Sequence, residues 1–409
     1  MQPARLGRRE KFAKMRCYLR SQQRVSRVIR ARFLTVTLAP TAPAERIESI
    51  DILRGVALFG VLLENMQHFV SPTYAAFVAS PEAHLLDRAG LWMIRFTCDN
   101  KVYLLFSFLF GYGIAMQFAR AAATGARFIG IHLWRMAILL LIGMAHMLVW
   151  TGDILSTFAV LGALLLLLRG ASDRALGATC LGFLAAPSLA LALLAAWAGL
   201  SQLAPEARQA VSVDVAMLDY PIRQTCFAFA MFALGLAAGR SNQLADPPGF
   251  VASTRRLLGP ALALGLAANL ATALLLETHD GSQLSARAVL TEATIALGGP
   301  SLALCYVFAT LWCLQRPAWH PRLRPFAAVG RTTLTNYLLQ SLIGIGILAR
   351  TGLGPLGPIT PPAGIALTCV LFGLQMAASH WWLARFRFGP AEWLWRSLAY
   401  GRWQPLRKR

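Results

Sequence analysis

The chain has 409 residues, 56% hydrophobic and only 14% charged, and a formal net charge of +21. A composition this apolar excludes a soluble globular enzyme and a disordered chain, and it points to a polytopic membrane protein. The charge alone would suit nucleic acid, but eleven Lys/Arg against one acid (Glu10) fall in residues 1–38 and the rest follows short loops, so no nucleic-acid partner is expected.

Residues 1–44 read as a basic cytoplasmic arm with no apolar core of secretory type. Its cations suit anionic lipid headgroups; a disordered tail and a rarely used upstream start are open readings beside that one. From residue 45 to 409 the chain reads as one transmembrane domain. A bilayer core takes about 20 mostly apolar residues per helix, and ten such runs are centred near residues 61, 111, 141, 161, 187, 231, 267, 304, 342 and 373. They are rich in Leu, Ala and Gly and do not alternate with polar residues as barrel strands do. The expected fold is an all-α polytopic transmembrane bundle of about ten spans. With the arm inside, the basic loops 120–135, 169–174, 240–256 and 316–331 and the tail after 384 also fall inside, whereas 200–220 and 277–292, each with one Arg and three acids, fall outside. That alternation follows the positive-inside rule and puts both termini in the cytoplasm.

Ionisable side chains within spans are unfavourable unless paired or hydrated, which marks each as functional by default. Here they form two layers, expected to lie most of a bilayer apart. The first span starts with Asp51 and Arg54, three residues apart and so able to pair, and ends outside with Glu64, Asn65 and His68 on one face. Asp99, Asn100 and Lys101 open the second span on the outer side. The third span brings His146 near its outer end, and a turn ending in Asp153 leads into the fourth. A histidine beside a carboxylate is the usual way to hold a general base; the plainer alternative makes Asp153 a helix cap and His146 a packing residue. The inner layer is cationic: Arg54, Arg135, Arg331, Arg385, Arg387 and Arg396. Guanidinium forks match phosphate geometry and could hold a nucleotide-bearing donor, or they could anchor helices to headgroups.

In the ninth span Asn336 and Gln340 lie one turn apart, either as interhelical glue or lining a polar cavity. Gly111 and Gly113 read as close helix packing. Seven scattered cysteines show no zinc spacing and read as apolar packing residues, so no metal is expected. The stretch 351–362 reads as a turn. The last segment, 386–403, mixes aromatic and basic residues and reads as an amphipathic interfacial helix. Gly389-Pro390 can open it, and Glu392 sits four residues before Arg396 in the favourable order for a pair.

Four segments together resemble one family: RIESIDILRGVALFGVLLEN at 46–65, IGMAH at 142–146 followed by GDIL at 152–155, GRTTLTNYLLQS at 330–341, and FGPAEWLWR at 388–396. They resemble the YeiB-type bacterial membrane proteins, domain of unknown function 418, over everything but the arm. That family is itself distantly similar to transmembrane acyltransferases, including the lysosomal heparan N-acetyltransferase and bacterial glycan O-acetyltransferases. The resemblance implies a bacterial inner-membrane location and carries over to Asp51, Arg54, Gly55, Asn65, Lys101, His146, Asp153, Arg331, Asn336, Gln340, Glu392 and Arg396. The activity it implies is acyl transfer from an acyl-coenzyme A donor to an extracytoplasmic or membrane acceptor. In that reading His146, Asp153 and Asn65 are catalytic, with His146 activating the acceptor, Asp153 orienting it and Asn65 holding the oxyanion. Asp51, Arg54, Lys101, Arg331, Asn336, Gln340 and Arg396 would bind the donor. The rival is a transporter or lipid-handling protein in which the same polar layers line a pathway. Membrane lipids are the partners common to both.

Overall fold

The computed structural model describes residues 46–70, 84–124, 128–201, 205–277, 285–345 and 359–408. The basic arm and most of the 351–362 turn lie outside these residues. Within them the chain is helical almost throughout. The helices α1 (Glu48–Val70), α2 (Leu85–Thr97) and α3 (Val102–Thr124) are followed by α4 (Phe128–Met147) and the short α5 (Leu155–Leu164), which tightens into a 3-10 turn over Leu165–Leu168. The long helices α6 (Asp173–Leu200), α7 (Pro205–Arg240), α8 (Pro247–Glu277) and α9 (Ala286–Leu314) come next. The last are α10 (His320–Arg331), α11 (Thr333–Ile343), α12 (Pro361–Arg385) and α13 (Pro390–Ala399).

Local chemistry sets many of these boundaries. Ser172 and Ser285 cap α6 and α9 by accepting from the backbone N–H of Ala175 (3.2 Å) and Ala288 (3.1 Å), donors that have no partner inside the helix. Proline at the first position starts α12 and α13, where the missing N–H is no loss. Asn100, at φ 59°, turns the chain between α2 and α3 in the left-handed region that Asn tolerates better than most residues. Thr332 breaks what would otherwise be one helix into α10 and α11. Its φ of −117° and ψ of 34° leave the helical region, and its hydroxyl donates back to Ala328 O at 3.0 Å.

Seven stretches among the described residues are long and apolar enough to cross a membrane: α2 with α3, α4, α6, the part of α7 from Leu218, α8, α9 and α12. The protein is a multi-pass helix bundle. The sequence runs near 61, 161 and 342 fall short of that standard for separate reasons. The 23 residues of α1 include Glu48, Asp51, Arg54 and Glu64. The apolar stretch that contains α5 ends at Leu168. The helix α11 has 11 residues.

The bundle has a centre and a rim. In α6 and α8 only 17% of the apolar window is buried, against 61% for α2–α3 and for α9. Exposed leucines such as Leu181, Leu193 and Leu270 therefore give the rim a surface that acyl chains accept. At the centre α3 packs along α7, and the rings of Phe110, Phe158 and Phe232 meet between α3, α5 and α7 with centroids 5.0–5.2 Å apart. A second core joins α1 to α12 through Leu58, Leu62, Met66 and Phe372.

The tightest crossing is α1 against α10. A Cβ built on Gly330 would collide with the carbonyl oxygen of Asp51, and one on Gly55 with that of Phe326, so the two backbones touch. Gly111 likewise lies against the backbone of Phe232, in keeping with its reading as a packing residue. Because a backbone carbonyl cannot swing aside as a side chain can, Gly330→Ala should destabilise the protein by about 1–3 kcal/mol or more. Gly177→Ala on the open face of α6, where an added Cβ meets nothing, should not. Thermal unfolding of the two purified variants checks this: the melting temperature falls for the first and stays or rises slightly for the second.

Candidate functional site

The crossing of α1 and α10 sets Asp51, Arg54 and Arg331 side by side, and these residues form part of the wall of a cavity of about 330 Å³. Six arginines line it: Arg46, Arg54, Arg120, Arg135, Arg331 and Arg396. The two carboxylates in the same wall are engaged. Asp51 Oδ1 lies 3.7 Å from Arg54 Nη1, the ion pair expected from their spacing. Glu392 is turned to the start of α11, where it accepts from Leu334 N (2.6 Å), Thr335 N (3.1 Å) and the Thr335 hydroxyl (2.6 Å). The cavity thus holds a surplus of cations. Arg135 lies over the ring of Trp395 at 5.0 Å and Arg396 over Phe388 at 4.8 Å, while the buried Nε atoms of Arg135 and Arg331 and Oε1 of Gln117 have no protein partner. Cations crowded in a partly apolar wall draw an anion strongly.

The expected pair between Glu392 and Arg396 is absent. The break at Thr332 explains it, because it leaves the first N–H groups of α11 without partners, and a carboxylate there satisfies two donors and meets the positive end of the helix dipole. Burial raises the Glu392 carboxyl above its ordinary range, and hydrogen bonds from Thr335 and Leu334 oppose that rise.

Tyr337, Ile154, Leu155 and Phe158 also line this cavity. The ring of Tyr337 lies 5.0 Å from the ring of His146, which is 6% exposed. The turn from α4 into α5 brings His146 Nδ1 within 2.7 Å of Asp153 Oδ1, the proximity that the short turn predicts. The other carboxylate oxygen, Oδ2, accepts from Ser156 N at 2.8 Å. Asp153 therefore both caps α5 and orients the histidine. With Nδ1 donating to the carboxylate, neutral His146 carries its lone pair on Nε2, which is buried and has no protein partner.

The two polar layers are closer than the sequence suggested. Arg135 of the cationic wall and His146 lie eleven residues apart on the unbroken α4, roughly 16 Å of helix axis, so the wall and the histidine are separated by about half of a bilayer core rather than most of one. Tyr337 of the short α11 joins the two, lining the cavity while its ring lies beside that of His146.

Other expected residues lie elsewhere. Asn336 Nδ2 donates to Thr332 O (3.0 Å) and Ser379 Oγ (2.9 Å), and Gln340 Nε2 donates to Gln375 Oε1 (2.9 Å), so both amides tie α11 to α12 and neither lines the cavity. Asn65 is half-buried on α1 and bonds neither nitrogen of His146. Lys101 donates to Arg95 O at 2.8 Å and lines a second cavity of about 580 Å³ together with Asp99, Arg223 and Glu292. Tyr337, Arg46, Arg120 and Gln117 are cavity residues that sequence reasoning passed over. Tyr337 alone left a trace, as the neighbour of Asn336 in a polar stretch of an apolar run.

Comparison with known proteins bears directly on this arrangement. "Uncharacterized protein YxaH" of Bacillus subtilis is 33% identical, over 91% of this chain and 99% of its own length. This chain belongs to the same family. The description "Protein of unknown function (DUF418)" matches residues 238–402, the part that contains α10, α11 and α13. "Uncharacterized protein YeiB" of Escherichia coli is 29% identical over 87% of this chain and 96% of its own, and an uncharacterized 39.9 kDa protein from the amylase 3′ region of Bacillus acidopullulyticus is 28% identical over 90% and 97%. The relatives are bacterial and span nearly the whole of this multi-pass DUF418 chain.

Glu392→Ala should remove three hydrogen bonds to the start of α11 and lower stability by about 4 kcal/mol or more, hydrogen bonds to a charged acceptor being worth roughly 1.5–3 each. A melting curve that matches the unaltered protein would show that α13 is held by its aromatic contacts alone.

Proposed function

We propose that this DUF418 protein is a membrane-embedded acyltransferase that uses an acyl-coenzyme A donor. One observation carries the reading: a single cavity joins six arginines to Tyr337, which lies against a histidine whose Nε2 is free. The donor's phosphates lie among Arg54, Arg331 and Arg396, and its thin pantetheine arm extends past Phe106 and Leu109 towards Tyr337. His146 Nε2 takes the proton of an acceptor hydroxyl or amine as that group attacks the thioester carbonyl. The tetrahedral intermediate then collapses, the carbon–sulfur bond breaks, and the imidazolium returns its proton to the departing thiolate. Asp153 holds the ring and stabilises its charged form. The Tyr337 hydroxyl, which accepts from Ile154 N at 3.3 Å and donates to Gly152 O at 3.5 Å, turns its proton from that long bond to the forming oxyanion; Asn336, Gln340 and Lys101 have no donor-binding part in this scheme.

The matching topology places the arginines at the cytoplasmic face of the bacterial inner membrane, where coenzyme A is found, with ten crossings and both termini inside. In it α1, α5 with its 3-10 turn, and α10 with α11 add three crossings to the seven long ones, and α13 lies at the interface. Reporter fusions at residue 409 should read cytoplasmic; an extracytoplasmic tail would detach the arginine cavity from its donor.

The chemical test uses acetyl-coenzyme A and full-length protein in nanodiscs. Arg54→Ala should weaken donor binding by about tenfold or more, one lost charge-assisted contact being worth at least ~1.4 kcal/mol. His146→Ala should leave binding nearly intact and reduce acetyl transfer to membrane extract by about 100-fold or more. If neither variant alters binding or turnover, the rival reading takes over: two polar cavities then serve as vestibules of a transporter, which would show uptake into proteoliposomes with no thioester present.

A further inference from the structure

The second cavity, of about 580 Å³, is larger than the first and is built differently. Three cations and three carboxylates line it, Arg95, Lys101 and Arg223 against Asp99, Asp219 and Glu292, so its wall is formally balanced. Much of that charge is already engaged. Arg223 Nη1 bridges Asp219 Oδ2 (2.8 Å) and Glu292 Oε2 (2.7 Å), and Asp99 Oδ1 accepts from Asn100 Nδ2 at 3.0 Å. Three side chains have capacity to spare, Arg223 among them through a buried Nε with no protein partner. Glu292 is 3% exposed, yet its Oε1 has no protein partner, an arrangement unfavourable enough in a helix bundle to need a ligand or solvent. Lys101 is 4% exposed and spends one of its three donors on Arg95 O.

The chemistry of the lining selects among ligands. A net anion would face three carboxylates and a net cation three basic groups, each close enough to oppose it. A metal ion is a poor fit, since no three of the His, Cys, Asp and Glu side chains among the described residues converge on one point. A hydroxyl group both donates and accepts, so it can meet the Glu292 oxygen and the Lys101 ammonium at once. The amide of Asn269 and the hydroxyls of Thr272 and Thr291 extend the same mixed character along the wall. The rings of Trp92 and Phe96 complete it with flat apolar faces against which the C–H face of a ring-shaped polyol can lie, while the ring of Tyr220 carries the Arg223 guanidinium 5.5 Å from its centroid.

From the balanced charge, the unpartnered Glu292 oxygen and the aromatic wall, we infer that this cavity binds an uncharged, hydroxyl-rich ring compound, either free or as the headgroup of an amphiphile. The inference stands on the lining alone and does not depend on acyl transfer; if both hold, the bound hydroxyl is the acceptor. Tyr103 then forms part of the partition between the two sites. Its ring lies 5.7 Å from that of Phe158 in the arginine cavity, and its hydroxyl donates to the carbonyl of Gln224 (3.1 Å), the residue after Arg223.

Titration calorimetry on full-length protein in phosphatidylcholine nanodiscs, with no acyl donor present, decides the matter. The probes are methyl β-glucoside and myo-inositol for free ligands, octyl β-glucoside for an amphiphile, and octyl phosphate and choline for charged ones. Saturable binding of at least one uncharged probe is expected, weakened about tenfold or more by Glu292→Gln and by Trp92→Ala, and unchanged by Gly177→Ala on the open face of α6. Trp92 is half-buried at the cavity wall and pairs with no charge, so its variant remains informative even if Glu292→Gln disturbs the ion network and fails to fold. Binding of the free probes as well as the glucoside amphiphile marks a soluble ligand; binding of the amphiphile alone marks a lipid-borne one. No saturable binding of any uncharged probe, preference for phosphate or choline, or binding that both variants leave untouched would overturn the inference and leave a solvated ion network.

Discussion

The backbone contact between α1 and α10 is the constraint on which the rest of the bundle depends. Two glycines, Gly55 and Gly330, let the helices approach until carbonyl oxygens occupy the space a methyl group would need. At that distance Asp51, Arg54 and Arg331 must share one level. The close approach also fixes where α11 begins, because Thr332 breaks the helix directly after the crossing. From there Tyr337 rises to meet His146, and the orphaned N–H groups of α11 capture Glu392 and with it the whole of α13. A looser crossing would separate the cationic wall from the histidine and free the tail.

The division of charge between the two cavities follows from how each carboxylate is employed. In the arginine cavity Asp51 offsets one guanidinium and Glu392 is consumed by backbone donors, which leaves a positive field facing a partly apolar lumen. In the second cavity Arg223 sits between two acids and the field nearly cancels. A ligand of the first would be selected by charge, and a ligand of the second by the placement of hydrogen-bonding groups and the shape of the wall.

How much of this was legible beforehand depends on the range of the interaction. Asp51 with Arg54, and His146 with Asp153, are local pairs whose geometry is set by helix pitch and a short turn, and both are found where spacing puts them. The start of α13 at Pro390 is equally local. Asn336 and Gln340 do share a face, but spacing cannot say which neighbour that face meets, and here it meets Ser379 and Gln375 of α12. Glu392 leaves its expected partner for the complementary reason: it bonds a helix start created by a break some distance away in sequence. The aromatic residues of the tail likewise do more than mark a surface. Trp393 stacks on Trp403 at 5.1 Å and donates to Gln404 O at 2.7 Å, and the chain returns so that Arg387 N donates to Leu406 O at 2.8 Å. The helices themselves are plain in the apolar runs; the three that fall short of the long-span standard each add residues to the wall of the arginine cavity.

The arginine cavity draws its wall from both ends of the described chain: Arg46 and Arg54 come at the start, Trp395, Arg396 and Tyr400 at the close. A ribosome adds residues one at a time and domains fold largely in that order. The wall therefore cannot be completed until residue 400 has been made, however many helices have already entered the bilayer. Until then the end of the wall built by Arg46 and Arg54 stands without the end built by Trp395, Arg396 and Tyr400. Quality control that senses an undocked tail would, by the same token, be sensing an incomplete site.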